Sequence, residues 1–392
     1  MEKRFVYADN AATTRVLPEV AAEMEKCWGE AYGNPSSLYT LGQISHTYIE
    51  DARERIASLL NCRPTELFFT SCGSESDNWA IKGAAHANAK KGKHLITTAI
   101  EHHAVLNSME SLEREGFEVT YLPVDSEGFV SLDDLRAAIR PDTTLVSVMM
   151  ANNEIGSIQP IKEIASICHE KGIICFTDAV QAVGHIPVDF ADLGVDMLSF
   201  SGHKFHSPKG IGGIIIKTGT RVYNFLDGGG QERSRRGGTE NIAFICAMAK
   251  ALEIAVGDLS RSDEVRAKRD RIIDTLMKIP YTHLNGPREN RLPGNADFSF
   301  EFIEGESLLL RLDAQGICAS TGSACSSKSL EPSHVLLAIG LPHEIAHGSL
   351  RLSIGTDTTD EDIDYLLEKI PQVVQGLRDM SPLYDAKMHG KI

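Results

Sequence analysis

Ile173-Ile174-Cys175-Phe176-Thr177-Asp178 and Met197-Leu198-Ser199-Phe200-Ser201-Gly202-His203-Lys204 decide how the chain is read. Each is a short, nearly continuous apolar run that ends in polar, chemically capable residues. Strands that are apolar throughout, rather than alternately, are buried on both faces, as in a parallel sheet covered by helices. Leu95–Ala99, Val119–Leu122, Leu145–Met149 and Gly212–Ile216 are strand candidates of the same kind. Amphipathic spacing predicts helices at Ser36–Leu60, Asp77–Ala89, Ser131–Ile139 and Ile161–Lys171 between them. The expected fold class is therefore α/β, with ligands bound at the carboxyl ends of the strands.

After Gly228-Gly229-Gly230 the pattern changes. Asn241 to Ile279 reads as helix with a break near Gly257. A strand at Phe298–Phe302, a small-residue loop at Ala319–Ser329, a strand at Leu350–Ile354 and a helix at Asp360–Leu377 follow. That α+β order predicts a smaller second domain. We expect a large domain at 15–259, with 1–14 and 260–392 forming the small one.

The chain has 392 residues, 42% of them apolar and 24% charged, with a formal net charge of −15. Such a charge argues against a main role in gripping nucleic acid or an anionic membrane. No stretch reaches the ~20 apolar residues of a membrane-spanning helix, and Met1 to Tyr7 holds no secretory apolar run. Eight cysteines are scattered without a CxxC, which suits a reducing cytoplasm. Most of them, Cys318 included, are expected to be buried packing residues.

Several loops at strand ends could carry chemistry. Lys204, flanked by Ser201 and His203, could offer an amine to a carbonyl while its neighbours hold an anion; a solvated loop lysine is as frequent. Asp178 could pair with a protonated ring nitrogen and Gln181 could donate to a ring oxygen, although Asp also caps helices in this position. Thr70 to Asp77, with Gly73 and Ser74, puts small residues at a helix start, where free N–H groups suit a phosphate; a plain capping box is the alternative. His102 could stack on an aromatic cofactor or move protons. Asn153 adds an amide at the same edge. Cys325, in Ser320-Thr321-Gly322-Ser323-Ala324-Cys325-Ser326-Ser327, is set among small residues like an accessible nucleophile. Arg351, inside an alternating strand, could clamp a carboxylate or simply face solvent. His343-Glu344-Ile345-Ala346-His347 matches a zinc-peptidase pattern. Pro342 and Gly348 leave room for only a turn or two of helix, and no third ligand follows, so no metal site is expected.

Taken in order, Tyr7–Thr14, Gly33–Ser37, Ser71–Asn78, Glu101-His102, Asn152–Gly156, Asp178–Gln181, Ser201–Lys204, Arg236–Thr239, the Cys325 loop and Arg351 resemble the pyridoxal-phosphate-dependent cysteine desulfurases of the NifS/IscS type, within the class V aminotransferases. The resemblance implies the fold type I (aspartate aminotransferase-like) architecture, with a mostly parallel seven-stranded sheet, a small α+β domain and a homodimer. It implies pyridoxal 5'-phosphate bound covalently by Lys204 and held by Asp178, Gln181, Ser201, His203, Ser74, Gly73 and His102, with Thr239 reaching in from the partner subunit. Lys204, His102 and Cys325 would be catalytic, and Asn153 and Arg351 would bind the substrate. L-cysteine would be turned into L-alanine, with the sulfur held as a persulfide on Cys325 and passed to an acceptor. A NifU/IscU-type scaffold in iron–sulfur cluster assembly is the expected acceptor, and Cys325 would meet a cluster only during transfer. The sequence departs from the group at Ser207 and Cys72, where glycine is usual, at Tyr39 for His and at Ser74 for Thr. A serine at 207 would strain the backbone if φ there were positive.

Overall fold

The computed structural model of the chain describes residues 4–321 and 332–390. A short strand, β1 (Val6–Tyr7), opens the chain. Seven strands then build one sheet: β2 (Leu67–Thr70), β3 (His94–Thr98), β4 (Glu118–Leu122), β5 (Thr143–Ser147), β6 (Ile174–Asp178), β7 (Met197–Ser201) and β8 (Gly212–Ile216). Their order across the sheet is β2-β8-β7-β6-β5-β3-β4. Every neighbouring pair is parallel except the two that involve β8. Six strands thus end at one edge, and the direction of winding reverses between β3 and β5, which is where α/β sheets bind ligands.

Neighbouring residues of these strands feed opposite cores. Cys175, Leu198 and Ile215 enter one buried cluster, with the helices Thr40–Leu59 and Ile242–Asp258. Phe176, Met197, Ile214 and Ile216 enter the other, with Trp79 of the helix Gly73–Asn88. Both faces of the sheet are covered, which is why its strands, apart from the edge strand β4, carry no polar alternation.

A third core forms around an antiparallel sheet, in the order β12-β10-β9, of β9 (Thr282–Leu284), β10 (Asn295–Phe300) and β12 (Ser349–Ser353). Phe298, Phe300, Leu350 and Leu352 pack there against Ile363, Leu366 and Ile370 of the helix Asp360–Arg378. Val6 and Ala8 belong to the same core, and β1 pairs in parallel with β11 (Ile317–Cys318). From there the chain crosses to the large sheet, where Thr14 donates its N–H to the carbonyl of His203.

Element ends differ from the sequence reading in explicable ways. The helix expected at Asp77 starts at Gly73, because its first turn is polar and carries no apolar period. The helix expected from Ser36 starts at Thr40; Ser36 is held instead in a turn by the Asn34 side chain. The break near Gly257 is a short turn, Leu259–Arg261, between the helices Ile242–Asp258 and Ser262–Leu276. Cys318, expected to be buried, is only half-buried, because β11 has a single strand neighbour. The His343-Glu344-Ile345-Ala346-His347 motif forms one helical turn, His343–Ala346.

Ser207 does not carry the strain that a lost glycine could cause. The left-handed residue is its neighbour His206, at φ 71°, held by its N–H on Thr14 Oγ1 at 2.6 Å and its ring on the Arg15 carbonyl. Ser207→Gly should therefore lower the free energy of unfolding by about 0.5–1 kcal/mol, by freeing the unfolded chain. A rise in stability on denaturant titration would show that the serine is strained after all.

Candidate active site

The carboxyl ends of β2, β3, β5, β6 and β7 converge on one amine. Lys204 lies three residues beyond β7, in a tight turn, and donates from Nζ to the carbonyls of Ala11 at 2.7 Å and Ala12 at 2.9 Å. Gln181 Nε2 reaches the same Ala11 carbonyl at 2.9 Å. The segment that crosses from the small core thus holds the lysine.

Asp178 ends β6, is buried, and accepts the Val180 N–H at 2.8 Å. Burial pushes its carboxyl up to about 6, against the pull of that N–H and of the Lys204 charge. His102 caps the helix His103–Arg114 by accepting the Ala104 N–H on Nδ1 at 3.1 Å. Burial, then the charge of Lys204, lowers its imidazole to about 4, so it is neutral at physiological pH and its ring is close enough to feel the amine. His203 is lowered to about 4 for the same two reasons, and its Nδ1 meets Thr13 Oγ1 at 3.2 Å.

Ser201 is buried, and its hydroxyl has no hydrogen-bond partner among the described residues. A Cβ on Gly73 would come within 2.8 Å of Val180 Cγ2 and 3.4 Å of the Ser201 Cβ. The helix start is thus pressed against the unpaired hydroxyl, and only glycine fits there. A hydroxyl without an acceptor beside the positive end of a 16-residue helix is a fitting place for a phosphate. Ser74, in the first turn, stands exposed.

Arg351 is buried, not solvent-facing. Its Nη2 pairs with Asp9 Oδ1 at 2.9 Å, its Nη1 donates to the Asn153 carbonyl at 2.9 Å, and its Nε has no partner among the described residues. It keeps donor capacity for a carboxylate, with Asn153 beside it. Arg351 also exchanges backbone hydrogen bonds with Ser320, at 2.6 and 3.2 Å. Cys325 lies outside the described residues. Thr239 is exposed, apart from the hydrogen-bonded set around Lys204.

Three supporting residues were not singled out from sequence. Glu101 is buried, takes the Thr98 hydroxyl at 2.7 Å and the Met149 N–H at 2.9 Å, and so ties the end of β3 to that of β5. Asp77 is buried and accepts the Ser199 hydroxyl at 2.6 Å. Glu154 is buried against the Ser333 hydroxyl. Each lies one to three residues from a residue already picked, yet an acidic residue gives no sequence sign that it will be buried.

A lysine, an aspartate, a neutral histidine and an anion cradle at one edge of this sheet suit an enzyme that binds a phosphorylated aldehyde cofactor. The sequence profile of the aminotransferase class-V family matches residues 6–366, and the chain belongs to that family. Within it the chain sits among the cysteine desulfurases. It is 55% identical to cysteine desulfurase IscS of Clostridium botulinum, over 98% of each chain. It is 56% identical to the enzyme of that name from Methanosarcina thermophila, over 97% of this chain and 95% of the relative. A solved NifS-like protein superposes with a TM-score of 0.90 at 41% identity, covering 95% of this chain and all of that one. SspA, solved in complex with cysteine, superposes at 0.79 and 34% identity over 89% of this chain and 98% of its own. The family's cofactor is pyridoxal 5'-phosphate, and the residues around Lys204 fit it.

Because His102 binds its proton less tightly when folded than the ordinary 6.5, the unfolded chain holds more protons between those values. Its contribution to stability is complete above pH 6.5 and is lost as pH falls toward 4. Replacing His102 by Gln should flatten that acid limb in denaturant titrations at successive pH values. An unchanged slope would mean that the ring is not held neutral.

Proposed function

We propose that the protein converts L-cysteine to L-alanine and carries the released sulfur as a persulfide on Cys325. The observation that carries this reading is the Lys204 amine, at the end of β7, close to Asp178 and His102 and a short step from an unpaired Ser201 hydroxyl at a glycine-started helix. Lys204 would hold the cofactor's aldehyde, Asp178 its ring nitrogen, Gln181 its ring hydroxyl, and Ser201, His203, Gly73 and Ser74 its phosphate. When bound, pyridoxal phosphate supplies an electron sink that labilises bonds at the substrate's Cα and Cβ.

The chain's own residues do the rest. Arg351 offers a guanidinium to the substrate carboxylate, with Asn153 beside it, and so fixes which end of cysteine enters. Lys204 and the neutral His102 take and return protons at the substrate's α-carbon and amine. Asp178 stays ionised opposite the protonated ring nitrogen; binding that cation would draw its pKa down. The Cys325 thiolate attacks the substrate sulfur; the S–S bond forms as the Cβ–S bond breaks, and Cβ gains a proton to become the methyl group of alanine. No sulfur is released free, so an acceptor has to collect it from Cys325.

We take that acceptor to be a NifU/IscU-type scaffold serving iron–sulfur assembly in the cytoplasm. We also propose a homodimer. Tyr32, Leu38 and Tyr39 are exposed, as are Tyr223, Phe225 and Leu226. Two such sets of exposed apolar side chains call for a partner, and a second copy would let Thr239 complete a neighbouring site. The separate small core supports a small unit of 1–14 with 260–392 and a large one of 15–259.

Lys204→Ala should abolish the yellow absorbance of the purified protein and lower alanine formation by at least ~10³-fold, the scale of losing a covalent group. Cys325→Ser should keep the absorbance yet form no persulfide, read by mass spectrometry after adding L-cysteine. Alanine formation undiminished in Cys325→Ser would refute the persulfide step.

A further inference from the structure

Strand β2 is an edge of the large sheet, and side chains close its open side. The Leu67 carbonyl accepts Arg53 Nη1 at 2.9 Å and Arg233 Nη2 at 2.7 Å, while the Phe69 N–H donates to Glu232 Oε2 at 2.9 Å. Arg53 and Glu232 are themselves buried and joined twice, at 2.7 and 3.0 Å. The Arg53 guanidinium also covers the Phe69 ring at 4.5 Å.

At Glu232 the backbone turns left-handed for three successive residues without a glycine: φ is 46° at Glu232, 56° at Arg233 and 60° at Ser234. Crowding of Cβ on the carbonyl disfavours each, so such a run persists only where its surroundings hold it. Two residues on, Arg236 lays Nε and Nη2 on the carboxylate of Glu75 at 2.7 and 3.0 Å. Glu75 sits in the first turn of the Gly73–Asn88 helix, next to Ser74, and accepts both the N–H and the hydroxyl of Ser71. A carboxylate there would repel an incoming phosphate unless it were paired.

We propose that Arg53 and Glu232 are positioning residues for the cofactor's phosphate: their ion pair fixes the left-handed turn that delivers Arg236 to Glu75 and so neutralises the carboxylate next to Ser74 in the phosphate cradle. This rests on the reading of that helix start given above. Neither Arg53 nor Glu232 touches substrate or cofactor. The chain places a cation on Glu75 rather than on the phosphate, so Ser201, His203, Ser74 and the N–H groups of the Gly73 helix start remain the phosphate's own donors.

The test titrates cofactor-free protein with pyridoxal 5'-phosphate and with pyridoxal, which lacks the phosphate, following visible absorbance and thermal midpoint. Glu232→Gln and Arg236→Gln should each weaken pyridoxal phosphate about tenfold, the scale of one unpaired neighbouring charge, and pyridoxal less than about twofold. Glu75→Gln combined with Arg236→Gln removes both charges and should return to within about threefold of wild type. Equal losses for both ligands, or a double variant no better than Arg236→Gln, would overturn the proposal, since a purely structural role moves both ligands and the midpoint together. If Glu232→Gln does not fold, the Arg236 single and double variants carry the comparison. A wild-type protein that binds both ligands alike overturns the phosphate reading itself.

Discussion

The amine of Lys204 rests on two backbone carbonyls, those of Ala11 and Ala12, and much of the site follows from that contact. An ammonium in a half-buried turn needs oxygen around it. These oxygens belong to a segment whose other end lies in the small core, through Val6 and Ala8. The two cores therefore meet at the reacting group. Asp9, in the same segment, reaches Arg351, so one stretch of chain sets both the lysine and the arginine.

Charge is handled sparingly around that stretch. Burial raises Asp178 to about 6 and Glu101 to about 8, and it lowers His102 and His203 to about 4. The pocket thus keeps Lys204 as its chief cation and holds both histidines neutral. Arg351 is a buried cation of another kind: it has a partner in Asp9 and, among the described residues, a spare Nε, so a carboxylate arriving there would add to an existing pair. Such a pair would cost more to break than to share.

Much of this was legible in the sequence. Five of the strands could be read because apolar runs buried on two faces have no competing pattern, and the strand-end polar groups marked the edge where the site lies; β4, at the sheet's outer edge, is mostly exposed or half-buried. Helix starts were less legible: the first turn at Gly73 is polar, so the apolar period begins later. Arg351 read alone was as easily a surface charge; only the pairing of β12 with β10 and the approach of Asp9 bury it. Glu75, Asp77, Glu101 and Glu154 gave no signal, since an acidic residue in a loop or first turn looks solvated until tertiary contacts close over it. The ion pair of Arg53 and Glu232 spans 179 positions, beyond any local pattern.

The backbone bridge between Ser320 and Arg351 sets a leash. Cys325 follows Ser320 by five residues, and a fully stretched chain gains at most ~3.5 Å for each. With the side chain added, its sulfur can therefore lie no more than about 20 Å from Ser320 and the Arg351 strand beside it. If Cys325 carries the sulfur as proposed, an acceptor would have to come to rest within that radius, and its footprint would be set by the length of a short tether.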